Sequence, residues 1–204
     1  MVKMVRKRYD IGMVRGLNRE AAIAELLAHV GRRAVSGGRV EGLTPVQWSA
    51  LRYFGCANRF SQTPSAFAAF QATTRGTASQ TVKSLVQAGY LERRSDAEDG
   101  RRVCFEPSAA GARLLESDPM AATVGAVADL APGERDALDR CLVKLVAAMA
   151  AADGGHPFGT CRSCRYLAPD TRAQACAYYC QHEAAPLAEH ELDGLCVRFD
   201  PADE

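Results

Sequence analysis

The 204 residues suffice for one domain of ordinary size, alone or with a small appendage, and 48% hydrophobic residues supply a packed core. No run approaches the ~20 apolar residues that span a bilayer. The basic start MVKMVRKRYD lacks the apolar segment of a secretory signal, so the expected location is the cytoplasm, with no membrane partner and with thiols kept reduced. The formal net charge of +1 hides an asymmetry: residues 1–113 carry 18 Lys and Arg against 9 Asp and Glu, and residues 114–204 carry 7 against 15. A basic half is the electrostatic footprint of a nucleic-acid binder, and equally of a solvated charged surface.

Residues 1–11 read as a basic extension, with Lys3 to Arg8 its charged part. Val14, Leu17, Ala21, Ile23, Ala24, Leu27, Ala28 and Val30 recur at helical spacing and predict a helix over 12–36. It stops at the breaker Ser36 to Gly38. In LTPVQWSALRYF, Thr44 is an N-cap, Pro45 opens the helix and Gln47 completes a capping box. Thr63 and Pro64 start another helix. In GTASQTVKSLVQAGYLERR, Thr77 reads as the cap of a third, Gln80 as its capping-box partner, and Gly89 as the stop. YLERR and RVCFEP then predict two strands joined by the polar loop SDAEDG.

Beyond Ser108, SAAGARLLESDPMAATVGAVADL and PGERDALDRCLVKLVAAMAAA read as two helices parted near Ala131 and Pro132. Leu138, Cys141, Leu142, Leu145, Val146 and Met149 form an apolar stripe in the second. Since the preceding domain already has a core, this stripe predicts a subunit interface. Residues 153–159 read as a linker.

Helix, turn, capped helix and basic hairpin form the logic of a winged helix-turn-helix, whose second helix offers its first turns to base edges in the major groove. Here that helix carries Thr77, Ser79, Gln80, Thr81 and Lys83, with Arg75 beside them. Hydroxyls and an amide suit base edges, and Arg75 and Lys83 suit phosphates. At the hairpin tip, Arg101 and Arg102 suit a narrow minor groove, and Asp99 is placed to steady Arg101 by a charge-assisted hydrogen bond.

LTPVQWSALRYF, the run from RGTASQTVKSLVQ through the hairpin to GARLL, and the two closing helices together resemble the MarR family of bacterial transcriptional regulators over residues 12–152. The resemblance implies a mainly α fold with a small β-hairpin wing and a helical dimerisation region. It implies an obligate homodimer on a double-stranded DNA pseudo-palindrome with half-sites about one helical turn apart. It further implies a repressor released by a small-molecule effector or an oxidant. DNA contacts carry over to Ser79, Gln80, Thr81, Lys83 and Arg101. The basic extension and everything after residue 153 depart from the family pattern.

That tail, residues 153–204, holds C161-x2-C164-x15-C180-x15-C196, with Cys176 left over as an alternative ligand. Four thiolates hold an iron–sulfur cluster or a tetrahedral Zn²⁺. A segment of about fifty residues with a poor core needs such a staple. The choice of Cys180 over Cys176 is implied by a likeness to short cysteine tails on some MarR-like regulators. One CxxC with two isolated cysteines favours a cluster over zinc, as a small Cys-ligated module sensing redox state or iron. His156, His182 and His190 are outlying ligand candidates. Cys56, Cys104 and Cys141 are expected as small core residues. No catalytic set appears, so an enzyme is not expected. Two other functions compete: release by a small aromatic ligand with a purely structural zinc tail, and a redox or thiol-exchange protein.

Overall fold

A computed structural model of the chain describes residues 18–35, 42–95, 103–152, 154–155, 157–170 and 177–202. Helix α1 spans Arg19–Val35 and α2 spans Pro45–Cys56. The start of α2 follows from its sequence: Gln47 N–H donates to Thr44 Oγ1 at 3.4 Å, and Thr44 N–H donates back to Gln47 Oε1 at 2.9 Å. Helix α3 spans Pro64–Phe70, capped by Thr63, whose Oγ1 accepts from Ala66 N–H at 3.2 Å. Helix α4 spans Arg75–Gln87. It ends where predicted, with Gly89 in the left-handed region at φ 77°.

Strands β1 (Leu91–Ser95) and β2 (Val103–Pro107) pair antiparallel, with Leu91 opposite Pro107 and Arg93 opposite Phe105. Phe105 N–H also donates to Gln62 O at 2.9 Å, tying the hairpin to the chain just before α3. The core between α2, α3, α4 and the hairpin is aromatic. Tyr53, Phe54 and Phe67 are fully buried, with centroids 5.2 Å apart for Tyr53–Phe54 and 5.8 Å for Phe54–Phe67. Trp48, Leu51, Val82, Leu85 and Leu91 complete it. Each such side chain contributes roughly 1.5–3 kcal/mol by leaving water. The buried Tyr53 hydroxyl is satisfied by donating to Ser61 O at 2.8 Å.

Helix α5 (Ala109–Leu115) is capped by Ser108 and lies so close to the chain before β1 that only glycine fits at 111. A Cβ there would stand 2.1 Å from the carbonyl oxygen of Tyr90. Gly111→Ala is therefore expected to destabilise the domain by about 3 kcal/mol, seen as a lower midpoint in urea unfolding.

The single helix expected from Ser108 to Leu130 is in fact two. Helix α6 spans Ala121–Ala128, and the break falls at Asp118-Pro119. Pro119 has no N–H to continue the ladder, and Asp118 Oδ1 turns to accept from Met120 N–H at 2.8 Å while pairing with Arg52 at 2.9 Å. Helix α7 spans Pro132–Ala152. No residue of α1, α6 or α7 is buried. Cys141, expected in a core, is exposed on α7, and Cys56 is exposed at the end of α2; only Cys104 is buried as expected. No described helix is long and apolar enough to cross a membrane.

After α7 the chain turns back onto the winged helix. Phe158 meets Phe70 of α3 edge-on, centroids 4.7 Å apart. Strand β3 (Gly159–Thr160) pairs antiparallel with β7 (Leu195–Cys196). Strands β4 (Leu167–Pro169), β5 (Tyr178–Cys180) and β6 (Ala185–Leu187) form a second small antiparallel sheet. The module's own core is small: Leu187, Leu192, Ala185 and Cys161 gather around Phe60, which is borrowed from the winged helix.

Candidate nucleic-acid interface and cysteine module

Helix α4 buries Ala78, Thr81, Val82 and Leu85 against the core. The opposite face is exposed and carries Arg75, Thr77, Ser79, Gln80 and Lys83. Those five predicted contact residues thus share one open face, all within the first nine positions of the helix. Thr81 does not join them. It is 8% exposed, and its hydroxyl donates to Thr77 O at 3.0 Å, so its Oγ1 serves the helix.

Thr77 is not the cap either. Thr74 holds that place, its Oγ1 accepting from Thr77 N–H at 3.2 Å. The helix begins one turn early because Thr74 supplies the same side-chain acceptor at the same three-residue spacing. Thr77 then falls in the first turn, with its hydroxyl 2.9 Å from that of Thr74.

The sequence did not single out Gln47 beyond its cap, yet it also fixes α4. Its Nε2 donates to Ser84 Oγ at 3.0 Å, and Ser84 Oγ donates to Thr81 O at 2.7 Å. Gly42, Thr44, Val46 and Gln47 thereby line a shallow groove with Thr77, Gln80 and Ser84. On the hairpin, Arg94 pairs with Glu106 at 2.7 Å and Arg93 is exposed. Asp99, Arg101 and Arg102 lie outside the described residues, as do Lys3 to Arg8.

Of the selected cysteines, Cys164, Cys180 and Cys196 lie near enough to Cys161 to act on it electrostatically. Cys161 and Cys164 bracket a tight 3-10 turn, with Cys164 N–H donating to Cys161 O at 3.1 Å. Cys180 ends β5 and Cys196 ends β7, opposite Gly159. Burial pushes the Cys161 thiol up to about 11, and Cys196, Cys180 and Cys164 push it the same way, against a side-chain hydrogen bond from Asn58. Burial also raises the Cys180 thiol, against the backbone N–H groups of Glu183 and His182, which favour its thiolate. Glu183 N–H donates to Cys180 Sγ at 3.5 Å.

Among the described residues, no three His, Cys, Asp or Glu side chains are grouped so that they could hold a metal ion. The module offers three thiols near Cys161, with backbone N–H donors aimed at the Cys180 sulfur, not a finished tetrahedron. No disulfide joins the described cysteines. Cys176 and His156 lie outside the described residues. His182 is occupied with Glu183 at 3.3 Å and with the Tyr166 ring, 5.2 Å between centroids. His190 is exposed. Across the module's surface Arg162 grips Asp193 in a fork, at 2.6 and 3.0 Å, and holds that carboxyl below its usual range.

Residues 41–102 match the family model described as MarR family. The solved transcriptional regulator SlyA is similar over 64% of this chain and 95% of its own, at 18% identity and a TM-score of 0.53. FabT of Streptococcus pneumoniae, solved in complex with DNA, is similar over 65% of this chain and 99% of its own, at 20% identity and a TM-score of 0.51. The fold is that of a MarR-type winged helix. No curated protein matches the chain. The matches leave about a third of this chain uncovered, enough to account for the tail that departs from the family pattern.

Proposed function

We propose that the chain is a homodimeric, DNA-binding transcriptional regulator of MarR type, acting as a repressor, whose tail holds a cation on Cys161, Cys164, Cys180 and Cys196. The observation that carries the DNA-binding part is the open polar face of α4, where Thr77, Ser79 and Gln80 present hydroxyl and amide groups between the cations Arg75 and Lys83. Such a face reads base edges in its middle and meets phosphate at its ends. FabT, which shares the fold, is bound to DNA in its solved form.

Dimerisation is supported by the helices that bury nothing. Ile23, Leu26, Leu27 and Val30 on α1 and Leu142, Val143, Leu145 and Met149 on α7 are all exposed, Met149 to 67%. An apolar surface of this extent calls for a second copy. The apolar crevice of such a dimer is also where a small effector would bind.

The fit of a cation rests on the donor set. Cys161 with the three thiols near it would be mutually repelled as thiolates, and a cation would remove that repulsion. Amide N–H groups directed at the Cys180 sulfur stabilise it as a ligand. An iron–sulfur cluster is favoured over Zn²⁺ by the spacing of one CxxC and two isolated cysteines. Its redox chemistry would make the module a sensor of oxidants or of iron supply.

Anaerobic purification tests the metal: iron and sulfide with visible absorbance support the cluster, and one colourless zinc per chain replaces it with a structural site. Chains that carry neither return the module to thiol exchange. For the winged helix, binding to duplex DNA must fall steeply with salt, since phosphate contacts release counterions. A protein that binds no DNA at low salt would be a redox protein rather than a regulator.

A further inference from the structure

The cysteine module is not a free appendage. It is seated on the turn that joins α2 to α3. Ala57 bridges Leu195 of β7 in parallel, Asn58 N–H donates to Leu195 O at 2.9 Å, and Val197 N–H donates to Ser61 Oγ at 3.2 Å. Gly194 lies flat on Asn58, where a Cβ would stand 2.9 to 3.1 Å from Asn58 Cβ, Cα and N. Arg59 donates to Pro186 O and pairs with Glu191 at 3.2 Å. Phe60 fills the module's core.

The same turn also holds the DNA-binding half together. Ser61 O accepts the hydroxyl of core Tyr53, Gln62 O accepts from Phe105 of the wing, and Thr63 caps α3. Within this turn Phe60 packs with Cys161, and one polar side chain is hydrogen-bonded to its sulfur. Asn58 is 5% exposed, and its Nδ2 donates to Cys161 Sγ at 3.9 Å. Among the described residues its buried Oδ1 has no partner, and the amide's side-chain hydrogen bond there is the one to sulfur. A donor of this kind favours a thiolate over a thiol, as the backbone N–H groups at Cys180 do.

We infer that Asn58, a residue of the DNA-binding half, is a positioning residue of the cysteine centre, and that cation binding by the module and the posture of the α2–α3 turn are one linked equilibrium. The inference rests on the cysteine-bound cation proposed above. Its amide orients the Cys161 sulfur and stabilises its negative charge. Linkage is reciprocal: if the filled centre steadies the turn, the turn must strengthen the hold on the cation by the same factor. Redox or metal chemistry at the module would then bear directly on the segment that launches α3.

The test uses the full-length chain with Co²⁺ as the probe, titrated against a chelator under anaerobic conditions. Asn58→Ala is expected to weaken Co²⁺ binding by about tenfold or more, as loss of an outer hydrogen bond to a metal ligand does. It is also expected to shift the thiolate-to-cobalt absorption, because the bond to Cys161 sulfur is gone. Ser61→Ala serves as the control. It loosens the same interface through Val197 without touching sulfur, and should leave the absorption position unchanged. Wild type and Asn58→Ala with equal affinity and equal spectra would overturn the inference while leaving the cation site in place. So would a Ser61→Ala spectrum shifted like that of Asn58→Ala. A wild-type chain that binds no Co²⁺ would overturn the cation site itself, and the inference with it.

Discussion

Gln80→Ala lowers affinity for the operator by about 1–3 kcal/mol, a factor of roughly 5–150, while binding to unrelated duplex stays unchanged. Gln80 sits in the middle of the open face of α4, with no core contact to lose. Its amide can donate and accept at once, which suits the N6 and N7 edge of adenine. Lys83→Ala behaves differently. It is expected to weaken binding to specific and unrelated DNA alike and to reduce the slope of log affinity against log salt by about 1, as loss of one phosphate contact does. Fluorescence anisotropy at several salt concentrations separates the two. If Gln80→Ala lost affinity for every sequence equally, the assignment of base contacts to this face would fail.

Cys180→Ser is expected to abolish the cation binding proposed for the tail and to leave the winged helix folded. The loss should exceed the roughly 10–100-fold typical of outer partners, because a ligand itself is removed. The module has few buried side chains, and one of them, Phe60, belongs to the other half, so without a cation the stretch from Gly159 to Pro201 should become sensitive to protease. The core around Tyr53, Phe54 and Phe67 has no part in this, and the main thermal transition should persist. Cys176→Ser is the companion: with Cys161, Cys164, Cys180 and Cys196 as the ligand set, it keeps its metal. Metal analysis with limited proteolysis reads both variants. A Cys176→Ser chain that loses its metal while Cys180→Ser keeps it would reverse the ligand assignment.

The winged helix was legible because its signals are local. Thr44 with Gln47, Thr63 with Pro64, and Gly89 each act within a few residues, and each stands where the spacing put it. The errors have local causes too. Thr74 and Thr77 are equally good caps in TTRGT, and spacing alone did not decide between them. Asp118-Pro119 was a breaker inside an otherwise helical run. Thr81 looked like its neighbours in the sequence, but the helical period turns it inward. Cys141 resembled a core residue because an apolar stripe looks the same whether its partner is the same chain or another copy.

The tail divides along the same line. Spacing and a likeness to short cysteine tails suggested Cys161, Cys164, Cys180 and Cys196 as one ligand set; the other three lie near enough to Cys161 to act on it, yet no three described His, Cys, Asp or Glu side chains are grouped to hold a metal ion. What the sequence gives no sign of is the docking. Asn58 lies 103 residues before Cys161, and Ser61 lies 136 before Val197. Nothing in the string ANRFSQ distinguishes a docking turn from an ordinary polar connection. Ala72, at φ 49° between α3 and α4, is similarly silent, since the sequence has no glycine there to mark it.

The central claim is that the state of the cysteine module governs DNA binding through the turn it grips. The measurement that bears on it most directly is the affinity of full-length protein for its operator, before and after removal of the cation by chelation, at one fixed salt concentration. If the loaded module holds the α2–α3 turn ready and so lowers the ordering cost of binding, the loaded protein should bind at least about tenfold more tightly, a difference of about 1.4 kcal/mol. Equal affinity of loaded and stripped protein would contradict the claim and leave the module a structural staple on a winged helix.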